Sequence, residues 1–161
     1  VFFTEVADSL PLTITVNESE LLSMVHFLHQ HPQLYFDQLT NVTGIDNGPS
    51  ANAMEVIYHL YSIPFNYSLA LKVMLPRENP EVDSLTGIWK SANWLEREVY
   101  DMFGIQFKNH PDLRRILMPN DWQGYPLRKD YQQQETYHEV KVAYWGNLQM
   151  ENEKLTNEAF I

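Results

Sequence analysis

Residues 94–131 read WLEREVYDMFGIQFKNHPDLRRILMPNDWQGYPLRKDY, the densest concentration of aromatic, arginine, proline and glycine residues in the chain. The stretch opens as a helix, expected over residues 91–103. Leu95, Val99 and Met102 fall at i, i+4 and i+7, an apolar stripe of the kind that packs on a sheet. Trp94, Glu98 and Asp101 repeat that spacing on a neighbouring face, and Arg97 stands four residues before Asp101, within reach of an ion pair. Gly104 falls where a helix ends in the left-handed conformation, with Ile105 placed to close the cap. Beyond it Pro111, Pro119, Gly124 and Pro126 forbid a long helix. Yet Leu113, Ile116, Leu117, Trp122, Tyr125, Leu127 and Tyr131 are too apolar for a solvated loop, and burying each is worth roughly 1.5–3 kcal/mol. Such a segment needs a surface, either its own domain or, beyond Trp122 especially, a partner protein.

Working outward, LTITV at residues 12–16 reads as a strand, and Asn17 with Glu20 has the spacing of a capping box. Leu21, Val25 and Leu28 form the stripe of the next helix, which Pro32 stops. Residues 34–45 read as a strand with a bulge, and 54–63 as an interior strand with aromatic residues on both faces. Residues 67–75 alternate, with Leu69, Leu71, Val73 and Leu75 opposite Ser68, Ala70 and Lys72. Residues 76–84 read as a polar, proline-broken loop, and 85–89 as a helical turn. The expected fold is α+β: two main helices on one face of a largely antiparallel sheet of four to five strands, followed by an extended C-terminal arm. The expected division is a compact domain at 1–107 and a partner-binding arm and tail at 108–161. Residues 136–145 read as extended, and the acidic last sixteen as ordering on a partner.

Composition excludes several functions. The 161 residues include no cysteine, so no disulfide forms, and an ordinary iron–sulfur centre has no thiolates to hold it. Neither phosphate-cradling glycine loop occurs among the six glycines. No apolar run reaches the ~18 residues of a membrane span, because Lys72 interrupts the best candidate. The first residues lack the order of a secretory signal, and the start at Val1 rather than methionine fits a truncated chain. A net charge of −10 argues against nucleic acid and anionic membranes as partners. Residues 90–129 nevertheless hold seven bases against five acids, and that basic, aromatic island suits an arginine-anchored protein interface.

Three segments, WLEREVYDMFGI, HPDLRRILMP and GYPLRKDY, together resemble the signature of the 30 kDa subunit (the C subunit) of proton-pumping NADH:quinone oxidoreductase, respiratory complex I. FDQLTNVTGID and LPRENPEVDSLTGIWKSANW upstream are similar to that family too, so the likeness covers about residues 20–131. Lys90 and Gln132 stand where the family pattern leads one to expect proline, and Asn109 where it leads one to expect glycine, a mild change because Asn tolerates the left-handed region. The resemblance implies a hydrophilic-arm subunit with no redox centre of its own, bracing the large hydrogenase-like (D-type) subunit beside the quinone pocket. NADH, FMN, iron–sulfur clusters and quinone would belong to the assembled complex. This chain would bind other hydrophilic-arm subunits without entering the bilayer, on the cytoplasmic side of a bacterial inner (plasma) membrane. Trp94, Glu96, Arg97, Glu98, Asp101 and Gly104 carry the signature. Arg114, Arg115, Trp122, Arg128, Lys129, Asp130 and Tyr131 are the expected partner anchors.

Rival chemistry has less behind it. His26 and His29 at i, i+3 lack the third and fourth ligands of a zinc site. Glu96 and Glu98 point about 160° apart on a helix and cannot converge on a substrate, whereas Glu98 and Asp101 share a face with arginines to pair. Arg114–Arg115 and Arg128–Lys129 fit a phosphate or lipid head group less well than carboxylates of this chain or a neighbour. Two alternatives stand: the equivalent subunit of a hydrogenase-type or ferredoxin-dependent membrane complex, and a free-standing metal-dependent hydrolase, which metal analysis and an activity screen would expose.

Overall fold

The computed structural model describes residues 3–6 and 11–142. A five-stranded sheet runs in the order β1-β2-β5-β4-β3, formed by Phe3–Val6 (β1), Leu12–Val16 (β2), Gln38–Asp46 (β3), Ala53–Ser62 (β4) and Tyr67–Pro76 (β5). Three of its four pairings are antiparallel; β2 against β5 is parallel, with Leu12 opposite Leu69 and Val16 opposite Val73. The helices are Leu21–Gln30 (α1) and Ala92–Phe103 (α2). The fold is therefore α+β, and the long ladder between β4 and β5 puts β4 in the interior, as its apolar run implies. Register irregularity between Leu39 and Asn41 supplies the expected bulge in β3, although this strand starts at Gln38 rather than at residue 34.

The core lies on one sheet face. Met54, Val56, Tyr58 and Leu60 of β4 and Leu69, Leu71, Val73 and Leu75 of β5 are buried, and Leu21, Val25 and Leu28 of α1 pack on them. Two local expectations change. Asn17 makes no side-chain cap bond; its carbonyl instead accepts from Glu20 N–H in a 3-10 turn, Glu18–Glu20, ahead of α1. The loop at 76–84 contains a strand, Glu81–Asp83 (β6), paired in parallel with Gln106–Lys108 (β7) just after α2. Ile88 and Trp89 N–H both donate to Leu85 O, which makes the expected turn.

α2 approaches β3 closely because Gly44 has no side chain: a Cβ there would stand 2.6 Å from the Phe103 ring and 3.0 Å from Val99. The compact unit containing this domain runs from Val1 to Tyr131, past the expected boundary at residue 107, because residues 108–131 pack on α2 and on the ends of β3 and β5. Residues 132–161 form a second unit, described as far as a small hairpin of Thr136–Tyr137 (β8) and Val140–Lys141 (β9). Trp145 and the acidic last sixteen residues lie outside the described residues. Among the described residues no helix is long and apolar enough to cross a membrane.

Candidate interface: helix α2 and the strap it carries

The buried face of α2 is Ala92, Glu96, Val99 and, beside them, Arg97 and Asp101. Val99 of the expected stripe is buried, whereas Leu95 and Met102 are only partly so. The shift has a physical cause: three charged side chains are buried on this helix, and each is satisfied by a different piece of chain.

Glu96 holds the turn before α2. Its Oε1 accepts from Leu85 N–H at 2.7 Å and its Oε2 from Ser84 Oγ–H at 2.6 Å. Burial pushes this carboxyl up to about 7, with the Ser84 and Leu85 hydrogen bonds opposing the shift. His110 lies close by, its Nε2 3.1 Å from Asn93 O and 4.0 Å from Glu96 Oε2, while its Nδ1 accepts from Asp112 N–H. Glu98, on the opposite side of the helix, is exposed. Asp101, three residues on and about 60° round the helix, is buried where Glu98 is not, because residues 116–118 cover it.

Arg97 and Asp101 hold the strap, residues 109–131, rather than each other. Arg97 donates to the carbonyls of Arg114 (3.1 Å) and Arg115 (3.4 Å), with its guanidinium 4.9 Å from the Trp94 ring centroid. Asp101 Oδ1 accepts from Arg115 Nη1 at 2.7 Å, and Oδ2 from the N–H groups of Ile116, Leu117 and Met118 at 3.0, 2.7 and 2.8 Å. Burial raises this carboxyl, but the Met118, Leu117, Arg115 and Ile116 hydrogen bonds outweigh it and hold the pKa below the usual carboxylate range. A proline-broken segment thus winds its backbone around one buried anion.

The strap also completes the end of α2. A helix leaves its last four carbonyls without intrahelical partners. Here Tyr100 O accepts from Gly104 N–H, Asp101 O from Arg115 Nη1, Met102 O from Leu127 N–H and Phe103 O from Arg128 Nε. Gly104 adopts the left-handed conformation expected of it, with φ 76° and ψ 20°. A Cβ there would run into Tyr125, whose ring rests on the glycine with the guanidinium carbons of Arg115 and Arg128 each 5.1 Å from its centroid. Asn109 takes up the left-handed region at φ 63°, as its side chain tolerates.

The strap's far end is tied to the sheet. Asp46, at the end of β3, accepts from Arg77 Nε and Nη2, from Gly48 N–H and from Lys129 N–H, and Arg77 also pairs with Asp130. The Arg77 hydrogen bond holds the Asp46 carboxyl far below its ordinary range against the effect of burial, with the Lys129 and Gly48 N–H groups adding to it. Trp122 Nε1–H donates to Tyr131 Oη at 3.0 Å. Of the expected anchors, Arg115, Arg128 and Asp130 are therefore engaged within the domain. Arg114 and Lys129 keep exposed side chains, Arg114 pairing with Asp112 at the surface. Three apolar residues that the sequence names, though not among the expected partner anchors, are exposed: Trp94 is 65% exposed, Leu117 61% and Leu127 55%. Leu117 and Leu127 are not covered by the domain itself, the first of the two surfaces their apolar character called for.

Among the described residues no cluster of three or more His, Cys, Asp or Glu could hold a metal. The His29 ring packs instead on the Trp89 and Tyr35 rings, at 5.7 and 6.0 Å between centroids.

The family described as "Respiratory-chain NADH dehydrogenase, 30 Kd subunit" matches residues 14–137. The chain is 40% identical over 138 residues to the C subunit of NADH-quinone oxidoreductase from Chlorobium phaeobacteroides, covering 85% of this chain and 82% of the relative. It is 47% identical over 121 residues to the protein of the same name from Geobacter sulfurreducens, covering 74% of each. Among solved structures, a trypsin-resistant fragment of Nqo5 superposes with a TM-score of 0.59 at 31% identity, covering 69% of this chain and 89% of the fragment. A chain of an archaeal membrane-bound sulfane sulfur reductase shares the fold, with a TM-score of 0.67 at 19% identity over 81% of this chain and 78% of that one. With the family match spanning β3 to β5, both helices and the whole strap, the chain belongs to the 30 kDa subunit family of the respiratory-chain NADH dehydrogenase.

Proposed function

We propose that this chain is a scaffold subunit in the hydrophilic arm of a proton-translocating NADH:quinone oxidoreductase. It braces the large hydrogenase-like subunit near the quinone site and takes no electrons itself. NADH, FMN, iron–sulfur clusters and quinone are then handled by other subunits, and the chain is held at the cytoplasmic face of a bacterial inner membrane through its neighbours. One observation carries the reading: Asp101 fixes the backbone of residues 116–118 from below, so that Leu117 is held outward in one place. Preorganising an apolar anchor removes part of the ordering cost of association. Zero cysteines agree with a subunit that holds no iron–sulfur centre alone.

In this reading Arg115, Arg128, Asp130, Trp122 and Tyr131 shape the strap, while Trp94, Leu117, Leu127, Arg114 and Lys129 meet the partner. Electron transfer needs its centres held close and fixed, so rigidity contributes to turnover without catalysis. The test is Trp94→Glu combined with Leu117→Glu in the native enzyme. Both side chains are exposed, so the purified chain should melt as the parent does, yet drop out of the assembled complex and lower quinone-linked NADH oxidation. Normal assembly and turnover would overturn the reading.

A further inference from the structure

The strap is fastened at one end of the central hairpin, where Ala53 pairs with Pro76 and Asp46 binds Arg77 and Lys129. Ten-residue strands at about 3.3 Å per residue put the hairpin's tip roughly 30 Å away. The tip is unlike the rest of the surface. Residues 60–71, LYSIPFNYSLAL, contain no charged side chain in a chain of net charge −10. Ile63, Phe65 and Tyr67 are all exposed there, 55%, 39% and 47% respectively.

The tip is also built. Tyr61 Oη–H donates to Asn66 Oδ1 at 2.6 Å, Asn66 turns the chain at φ 55°, and Asp37 Oδ1 receives Ile63 N–H at 3.0 Å. The Phe65 and Tyr67 rings stack with centroids 5.6 Å apart and planes 17° from parallel. Stacking leaves each ring one face and its edges to offer, and an aromatic group whose position is already set docks at low entropic cost.

We propose that this tip, Ile63, Phe65 and Tyr67, inserts into an uncharged apolar groove of a neighbouring protein subunit, a second contact at the opposite end of the domain from the strap. Charge selects the occupant. A surface-binding membrane loop combines apolar residues with Lys or Arg for anionic head groups. Residues 60–71 hold none, and the charge bonded to the tip's backbone is the Asp37 carboxylate at its base. Three side chains fall well short of the ~800 Å² per partner of a self-sufficient interface. The tip therefore acts in a chain already held elsewhere. It rests on the reading that the chain works inside an assembly, and not on the strap's particular role.

The experiment places a photo-crosslinking phenylalanine at Phe65 in one strain and at Leu117 in another, irradiates the purified native complex, and identifies the adducts by mass spectrometry. A defined adduct from position 65 to a subunit of the complex is expected. No protein adduct at position 65 overturns the proposal whatever position 117 gives; an adduct to lipid overturns it in favour of a membrane contact. A missing adduct at 117 counts only against the strap. As a second measure, Ile63→Lys with Phe65→Lys should leave the melting curve of the free chain unchanged and reduce its retention in the complex about tenfold or more, as loss of a central aromatic anchor does. Undiminished retention would also overturn the proposal.

Discussion

The two helices lie against one sheet and are stabilised in different ways. α1 buries Leu21, Val25 and Leu28 and no charged residue. α2 buries Ala92 and Val99 together with Glu96, Arg97 and Asp101. The first is held by apolar contact, which is non-directional and indifferent to the residues beyond the helix. The second is a mount: each buried charge needs partners of fixed geometry, and those partners are the turn before the helix and the strap after it. Apolar burial makes a domain, and directional burial of charge lets that domain hold an irregular segment in one shape.

The largest expected effect separates these modes. Asp101→Ala takes the carboxylate from the Arg115 guanidinium, which keeps its bonds to the carbonyls of Gly124 and residue 101, and from three backbone N–H groups, at a cost of about 3–5 kcal/mol. Leu21→Ala removes a fully buried side chain and costs about 2–5 kcal/mol. Urea denaturation should register both. Hydrogen exchange at residues 115–118 should accelerate in the folded state only for Asp101→Ala, and equal acceleration in both would erase the distinction.

Next comes pH. Glu96 is raised from 4.5 to about 7 in the folded state, so native protein binds this proton more tightly than unfolded chain does. Its contribution to stability is complete below about 4.5 and is lost as pH rises through about 7, on the order of 3 kcal/mol in all. Glu96→Gln should flatten that part of the stability–pH curve, measured by thermal melts between pH 4.5 and 8. A slope that survives the substitution belongs to another group.

Gly104→Ala should cost roughly 1–2 kcal/mol from the left-handed backbone alone and should also push the Tyr125 ring off the helix end. Ring proton shifts of Tyr125 would report the displacement. The smallest effect sits on the α1 side. Asn17→Ala should change the melting free energy by less than about 0.5 kcal/mol, because no capping bond is there to lose. A loss near 1 kcal/mol would restore the capping box that the spacing of Asn17 and Glu20 suggests.

Legibility in the sequence divides along the same line. The apolar stripe of α1, the alternation of β5 and the glycine stop at 104 are local patterns, and all are found in the structure. The face of α2 is less legible. Periodicity assigns charged residues to solvent, and the partners of Asp101 arrive 14 to 17 positions later from a segment with no period of its own. Arg97 and Asp101 stand at ion-pair spacing, yet both turn to the strap. β6 is hidden inside a proline-broken loop because its partner, β7, lies beyond a whole helix. The basic island is visible in the sequence, but charge alone does not show that Arg115 and Arg128 finish α2 while Trp94, Leu117 and Leu127 stay exposed.

The bond from Lys129 N–H to Asp46 spans 83 positions. Contacts of such separation close late, since the intervening chain must first be ordered. During synthesis the β3 end of the sheet therefore waits for a residue translated long after it, and the strap takes its final form only on a finished domain. Under the proposed scaffold role, recruitment of neighbours would thereby be conditional on folding, and a half-made copy would be poorly equipped to enter the assembly.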